Sequence, residues 1–154
     1  MHRPVIICQG NQFPEGGVDG GFNMPIDHGQ VVGDLADWPL LLTEANVQPA
    51  LFVHAKGDGS DILVTAGDGL TPLKRELVRY DNVAGTLELY VRLPSVSSVA
   101  DTVLYVYYGN PSAALGNDDD TWDEGYIMVQ HMGDASPATI LGSTGSHYVG
   151  AKGD

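Results

Sequence analysis

Thr86-Leu-Glu-Leu-Tyr-Val-Arg-Leu93 alternates at every position, with Leu87, Leu89, Val91 and Leu93 set between Thr86, Glu88, Tyr90 and Arg92. Side chains along a β-strand point to opposite faces in turn, so this stretch carries one dry face and one wet face. It predicts a half-buried antiparallel strand, ended by Pro94, which has no N–H to give to a ladder. A small polar linker, Ser95–Ala100, leads into Val103-Leu-Tyr-Val-Tyr-Tyr108. There Val103, Tyr105 and Tyr107 share one face and Leu104, Val106 and Tyr108 the other, so neither side is plainly polar. That pattern predicts a strand that is central or covered on both sides. Gly109 and Asn110 tolerate positive φ and Pro111 blocks continuation, so the chain turns sharply after Tyr108.

Shorter signals flank this pair. Trp38–Leu42 and Leu51–His54 are apolar runs bounded by Pro or Gly and read as strands, with a helical turn as the alternative between Asp34 and Asn46. Asp61–Thr65 reads as a strand closed by the turn Ala66–Gly69, with Leu73–Asp81 as its antiparallel partner. Tyr126–Met132 is one more strand candidate. Residues 1–30 are rich in Gly and Pro, hold a short strand candidate at Val5–Cys8, and read as an extended N-terminal arm. Residues 31–133 form the domain, and the Gly/Ser/Ala-rich residues 134–154 read as a flexible tail or linker. Seven or eight short strands with turn signals every eight to twelve residues predict an all-β fold, an antiparallel β-sandwich of jelly-roll-like form. No internal repeat is visible at a solenoid period.

Composition agrees. A chain of 154 residues is one ordinary domain, and 20 Gly with 9 Pro favour turns over long helices. The formal charge of −13 repels phosphate backbones and anionic headgroups, so neither nucleic acid nor a membrane surface is an expected partner. Cys8 is the single cysteine and forms no internal disulfide. The apolar run Val5–Cys8 is too short for a secretory signal, and no stretch has the roughly 20 apolar residues of a spanning helix.

The series Asp34-Leu-Ala-Asp-Trp-Pro-Leu-Leu-Leu42, Phe52, Asp58-Gly-Ser-Asp-Ile62, Asp68-Gly69, Leu73, Glu76, Tyr80-Asp81, Gly85, Val91-Arg-Leu-Pro94, Asp101-Thr102, Tyr105-Val-Tyr-Tyr-Gly-Asn110, Trp122-Asp123 and His131 resembles the family known as domain of unknown function 2341. The resemblance spans roughly 31–133, and the strand end Tyr-Tyr-Gly-Asn is its most specific part. It implies a module that commonly precedes a concanavalin-like lectin or glucanase domain in large surface proteins of bacteria and archaea, and that also occurs in phage tail or fibre proteins. Gly142-Ser-Thr-Gly145 is similar to the family's run into that next domain. The arm at 1–30 has no counterpart in the pattern. The family has no established catalytic residues, so the resemblance implies none.

Three constellations have chemistry of their own. Trp38, Tyr108 and Trp122, with Tyr105 and Tyr107, are candidates to stack on the apolar faces of sugars, although a place on a buried strand points to core packing instead. Asn117, Asp118, Asp119, Asp120 and Asp123 offer the hard oxygens that Ca²⁺ takes, without the alternate-residue spacing of an EF-hand loop, so a solvated acidic turn is the competing reading. Asp58, Asp61 and Asp68 form a weaker oxygen cluster that ordinary turn capping also explains. The five histidines make no HxxxH or HxH pair, so no zinc site is expected. Glu76 and Glu88 are the natural acid/base carboxylates, but nothing in the spacing sets them a glycosidase-like distance apart. GxSxG is absent and Cys8 has no indicated base, so catalytic residues are not expected.

The expectation is therefore a structural or assembly protein of a virion or an extracellular filament, a homo-oligomer or a subunit among other structural subunits. Its arm, through Val5, Ile6, Ile7 and Cys8, is expected to pair with a neighbour's sheet edge. The alternative is a non-catalytic carbohydrate-binding module of a surface protein, with a glycan ligand held by the aromatics and assisted by Ca²⁺ from the acidic loop. No other cofactor is expected.

Overall fold

The computed structural model describes residues 20–131, 139–140, 142–144 and 150–151. One antiparallel sheet is made of β1 (Gly20–Ile26), β6 (Thr102–Tyr108) and β3 (Leu63–Thr65), in the order β1-β6-β3. The other is made of β2 (Leu35–Thr43), β5 (Thr86–Val96) and β4 (Arg75–Asp81), in the order β2-β5-β4. A short ribbon, β7 (Thr139–Ile140) with β8 (Gly150–Ala151), stands apart, and one helix, α1 (Ala50–His54), follows β2.

The alternation of β5 builds the interior. Leu87, Leu89, Val91 and Leu93 are all 1% exposed or less, and they share one core with Leu42 of β2 and with Phe22, Met24, Leu104, Val106 and Tyr108 of the opposite sheet. Burying each of these side chains contributes about 1.5–3 kcal/mol, which makes this layer the main stabilising feature. β6 lies between β1 and β3, so its main chain is paired on both sides, and Leu104, Val106 and Tyr108 face the core. Tyr107, on the face away from the core, is also buried, and its hydroxyl donates to the Gly69 carbonyl at 3.1 Å. After Tyr108 the chain turns at Gly109, whose φ of 87° is left-handed backbone that glycine adopts without strain. The molecule is an all-β antiparallel sandwich whose chain passes back and forth between the two sheets, as in a jelly roll.

Several expectations change on contact with the structure. Leu51–His54 is helical: Pro49, with φ at −56°, starts the turn, and Leu51 and Ala55 bury the same side four residues apart. Leu73–Asp81 does not form a ladder with Asp61–Thr65; β4 pairs with β5, and beside β3 there is only the bridge Thr65–Pro72 with the bond from Leu73 N–H to the Val64 carbonyl. The cause is a tight hairpin in which the Asp81 carboxylate accepts from the N–H groups of Val83 and Ala84, ahead of Gly85 at φ 65°. Nor does Pro94 end β5. Arg92 N–H donates to the Lys74 carbonyl, so by alternation Pro94 also faces the β4 side, beyond the point where β4 stops and no donor is needed.

The arm read at 1–30 contains β1, because Phe22 and Met24 give it a buried face and Gly20 lies against the Tyr108 ring where a Cβ would collide. Tyr126–Met132 is not a strand over its described part; Tyr126 N–H bonds to the Asp123 carbonyl in a turn, and Ile127 and Met128 are exposed. Within 134–154 the ribbon β7–β8 is a local pairing. Val5–Cys8 lies outside the described residues.

Candidate functional site

Two three-stranded sheets have four edge strands, and an edge with unused N–H and C=O groups is a template for another chain. Three of these four edges are closed by identifiable groups. On β4, the Asn117 side chain bonds both the N–H and the C=O of Leu77, at 2.7 and 3.3 Å, in the manner of a strand partner. Next to it, Asp118 accepts from Arg75 N–H through its carboxylate and donates its own N–H to the Arg75 carbonyl. On β3, the segment entering β4 folds alongside, with Leu73 N–H donating to the Val64 carbonyl and Ala66 N–H to the Thr71 carbonyl.

On β2 the means are different. Asn46 takes the outward Leu41 carbonyl and Thr43 N–H. Alternation then places Pro39 and Asp37 on the same outward side, where Pro39 has no donor and Asp37 is bent to φ 50°. The carboxylate of Asp37 is bound by Arg92 at 2.9–3.0 Å.

β1 is the exception. Because Val64 faces away from β6, Leu63 and Thr65 face it, and Tyr105 and Tyr107 point their main chain towards β3. The alternate residues of β6 therefore face β1, where they meet Gly20, Phe22, Met24 and Ile26. Gly21, Asn23 and Pro25 are left pointing outward. Pro25 has no donor, but among the described residues nothing bonds to the main chain of Gly21 and Asn23 on that side. The Asn23 side-chain oxygen is buried without a hydrogen bond as well.

The wet face of β5 is roofed by the chain beyond β6. Glu76, opposite Tyr90 across the β4–β5 ladder, is only 8% exposed. Its Oε2 accepts from Trp122 Nε1 at 2.6 Å and lies 3.2 Å from His131 Nε2. The Tyr90 ring sits 4.8 Å from Trp122 and 5.3 Å from His131, and Tyr126 stands edge-on to Trp122 at 5.2 Å. Burial, and then the nearby Glu88 and Glu76 carboxylates, push the Tyr90 hydroxyl pKa upward. A buried carboxylate with both partners engaged is an anchor, and it fastens the segment that closes β4 onto the outer face of the sheet. Glu88, opposite Thr43 and Arg79, borders this box at the Tyr90 hydroxyl.

The residues singled out from the sequence fall in different places. Tyr108 is core, tilted against Phe22 at 6.5 Å, and Trp122 is 8% exposed within the anchor, whereas Trp38 on β2 is 45% exposed. The three are not gathered on one surface element. In the acidic loop, Asn117 and Asp118 bind β4, Asp118 and Asp120 both pair with Lys74, Asp123 caps Gly125 N–H at 2.7 Å, and Asp119 is exposed between them. Hydrogen bonding from Lys74 lowers the Asp120 carboxyl pKa. Asp58, Asp61 and Asp68 each accept main-chain N–H groups; Asp61, 2% exposed, ties Lys56 N–H to Gly109 N–H. The sequence reading missed Asn46 and the joining of Glu76 to His131, which lie 55 residues apart with no local pattern between them.

Two antiparallel sheets closed over one core, with one flank sealed by a long return segment, define a β-sandwich module. Residues 58–138, just over half of the chain, match the family described as a domain of unknown function (DUF2341), and the chain belongs to that family. The matched span holds β3 to β6 and the sealing segment, whereas β1 and β2 precede it. No curated protein and no solved structure matches the chain.

Proposed function

We propose that the protein is a structural subunit, of a virion such as a phage tail, fibre or capsid-decorating component or of an extracellular filament, joined to its neighbours by strand addition at β1. The observation that carries this reading is the contrast between three closed edges and the open pair Gly21 and Asn23 on the fourth. Four residues of strand span about 13 Å, the reach from Gly21 to Pro25, so a segment the length of Val5–Cys8 from an adjacent copy fits it. Main-chain bonding supplies affinity there without any charged side chain, since β1 carries none.

The test compares the full chain with a chain lacking residues 1–19, which keeps β1. Light scattering is expected to show an oligomer for the full chain and a monomer with an unchanged strand spectrum for the shortened one. Asn23→Pro, which removes an outward donor and leaves the β6-facing residues in place, is expected to give the same loss. An identical mass distribution in all three proteins overturns the proposal.

One observation favours a second reading, a glycan-binding module of a surface protein: Trp38 is a half-exposed indole on an edge strand. On that reading Trp38→Ala abolishes retention on a polysaccharide array, and EDTA weakens it if the acidic loop recruits Ca²⁺.

A further inference from the structure

Asp27, His28 and Asp101 meet where the β1–β6 ladder ends. Ile26 pairs with Thr102, so the chain leaving β1 and the chain entering β6 are neighbours at that corner, although Asp101 lies 73 residues from His28 in sequence. Asp27 caps the 3₁₀ turn His28–Gln30, its Oδ1 accepting from Gly29 N–H at 2.8 Å. Asp101 Oδ1 accepts from His28 N–H at 3.1 Å and lies 2.7 Å from His28 Nδ1. One ligand atom from each residue lies within 4.8 Å of the other two. Among the described residues no hydrogen bond reaches Asp27 Oδ2, Asp101 Oδ2 or His28 Nε2, and a metal ion would take the place of the contact between His28 Nδ1 and Asp101 Oδ1.

The charge balance at the corner points the same way. Every described Lys and Arg lies elsewhere: Lys56 bonds the Ala113 carbonyl, Lys74 pairs with Asp118 and Asp120, Arg75 bonds the Leu115 carbonyl, Arg92 pairs with Asp37, and Arg79 stands on β4 opposite Glu88. Two carboxylates are thus left with one imidazole, in a chain of formal charge −13. One nitrogen and two oxygens are a donor set for a borderline divalent ion, in contrast to the all-oxygen sets of Ca²⁺ and Mg²⁺.

We propose that Asp27, His28 and Asp101 bind one divalent transition-metal ion, of which Zn²⁺ is the probe of choice. Ligand bonds near 2.0–2.2 Å draw the three atoms closer than they stand, and side chains this exposed turn freely enough to allow it. Water fills the remaining positions. Such an ion ties the end of β1 to the start of β6 without touching the core.

Titration of the purified full chain with Zn²⁺ by calorimetry is expected to show a site that weakens by about tenfold or more in His28→Ala and in Asp101→Asn. The chain's melting temperature is expected to rise in Zn²⁺, to return with EDTA, and to stay unmoved in the two variants, both of which change exposed groups. Co²⁺ provides a second readout, since its visible absorption bands are expected in the parent and absent from His28→Ala. Binding of equal strength in parent and variants, which places the ion on other histidines, overturns the proposal, as does a shift produced by Ca²⁺ but not by Zn²⁺.

Discussion

The β3/β4 flank and the β1/β2 flank face the same hazard and meet it differently. On the first, distant chain returns to supply real partners: residues 71–73 to β3, and Asn117 with Asp118 to β4. On the second, protection is local, from Pro25 on β1 and from Asp37, Pro39 and Asn46 on and after β2. Asn46 satisfies two groups of β2, but a proline removes a donor without satisfying its neighbours, so a gap beside it stays available to another chain. The gap at Gly21 and Asn23 is where the flanks differ: the sealed side completes itself within the chain, and on the other side nothing among the described residues meets the outward main chain of these two.

The sharpest way to break this contrast is at the anchor of the sealing segment. Trp122→Ala is expected to cost about 3–5 kcal/mol in urea unfolding, the largest effect of these substitutions, because it empties a buried indole site and strips Glu76 of a donor. Trp122→Phe keeps most of the ring and loses only the N–H, with an expected cost of about 1–3 kcal/mol. If the two variants unfold at the same urea concentration as the parent, the roof over β5 does not hold the β4 seal.

One step down, Asn117→Ala unpairs Leu77 without disturbing the anchor. Asn117 is exposed and water replaces part of what is lost, so the expected stability change is only about 0.5–1.5 kcal/mol. The more telling result is association. An unsealed β4 is expected to self-associate as concentration rises, by light scattering, in a chain that also lacks residues 1–19 and so has no arm. A variant that stays monomeric shows that the carboxamide is not what guards β4.

What was legible in the sequence follows the same division. The alternation of Leu87 to Leu93 and the two-sided apolar run Val103–Tyr108 are local signals, and both report their burial correctly because strand periodicity depends only on neighbours along the chain. Pairing is not local. The hairpin of β4 with β5 outcompeted the expected pairing of Leu73–Asp81 with Asp61–Thr65, and a four-residue apolar run at Leu51 carried too little period to separate helix from strand. Glycines that read as breakers at 20 and 21 belong to a strand, where one of them admits the Tyr108 ring. Of the site, the acidic loop was visible as composition, yet the use of Asn117 and Asp118 as a strand substitute depends on where β4 ends in space.

The gentlest probe is acid, and it separates the flanks without substituting either edge. Asp68 holds the turn that lays residues 71–73 along β3; it accepts from the Thr71 hydroxyl and from the N–H groups of Thr71 and Leu70, and these bonds, the hydroxyl first, lower its pKa from the ordinary 3.8 to about 2. A carboxyl whose folded pKa is depressed contributes stability above its unfolded pKa and loses it as pH falls through the folded one, so the window here runs from pH 3.8 down to about 2. Across that window the Leu73 amide, which donates to Val64, is expected to lose protection from exchange, whereas amides of β1 that bond to β6 are not. Asp68→Asn is expected to flatten the acid dependence of melting and to lower stability at neutral pH only by the small amount that the parent loses across this window, since the group is exposed. Equal protection of Leu73 at pH 4 and pH 2 means that the β3 seal does not depend on this carboxylate, and that the return of the chain alone closes the edge.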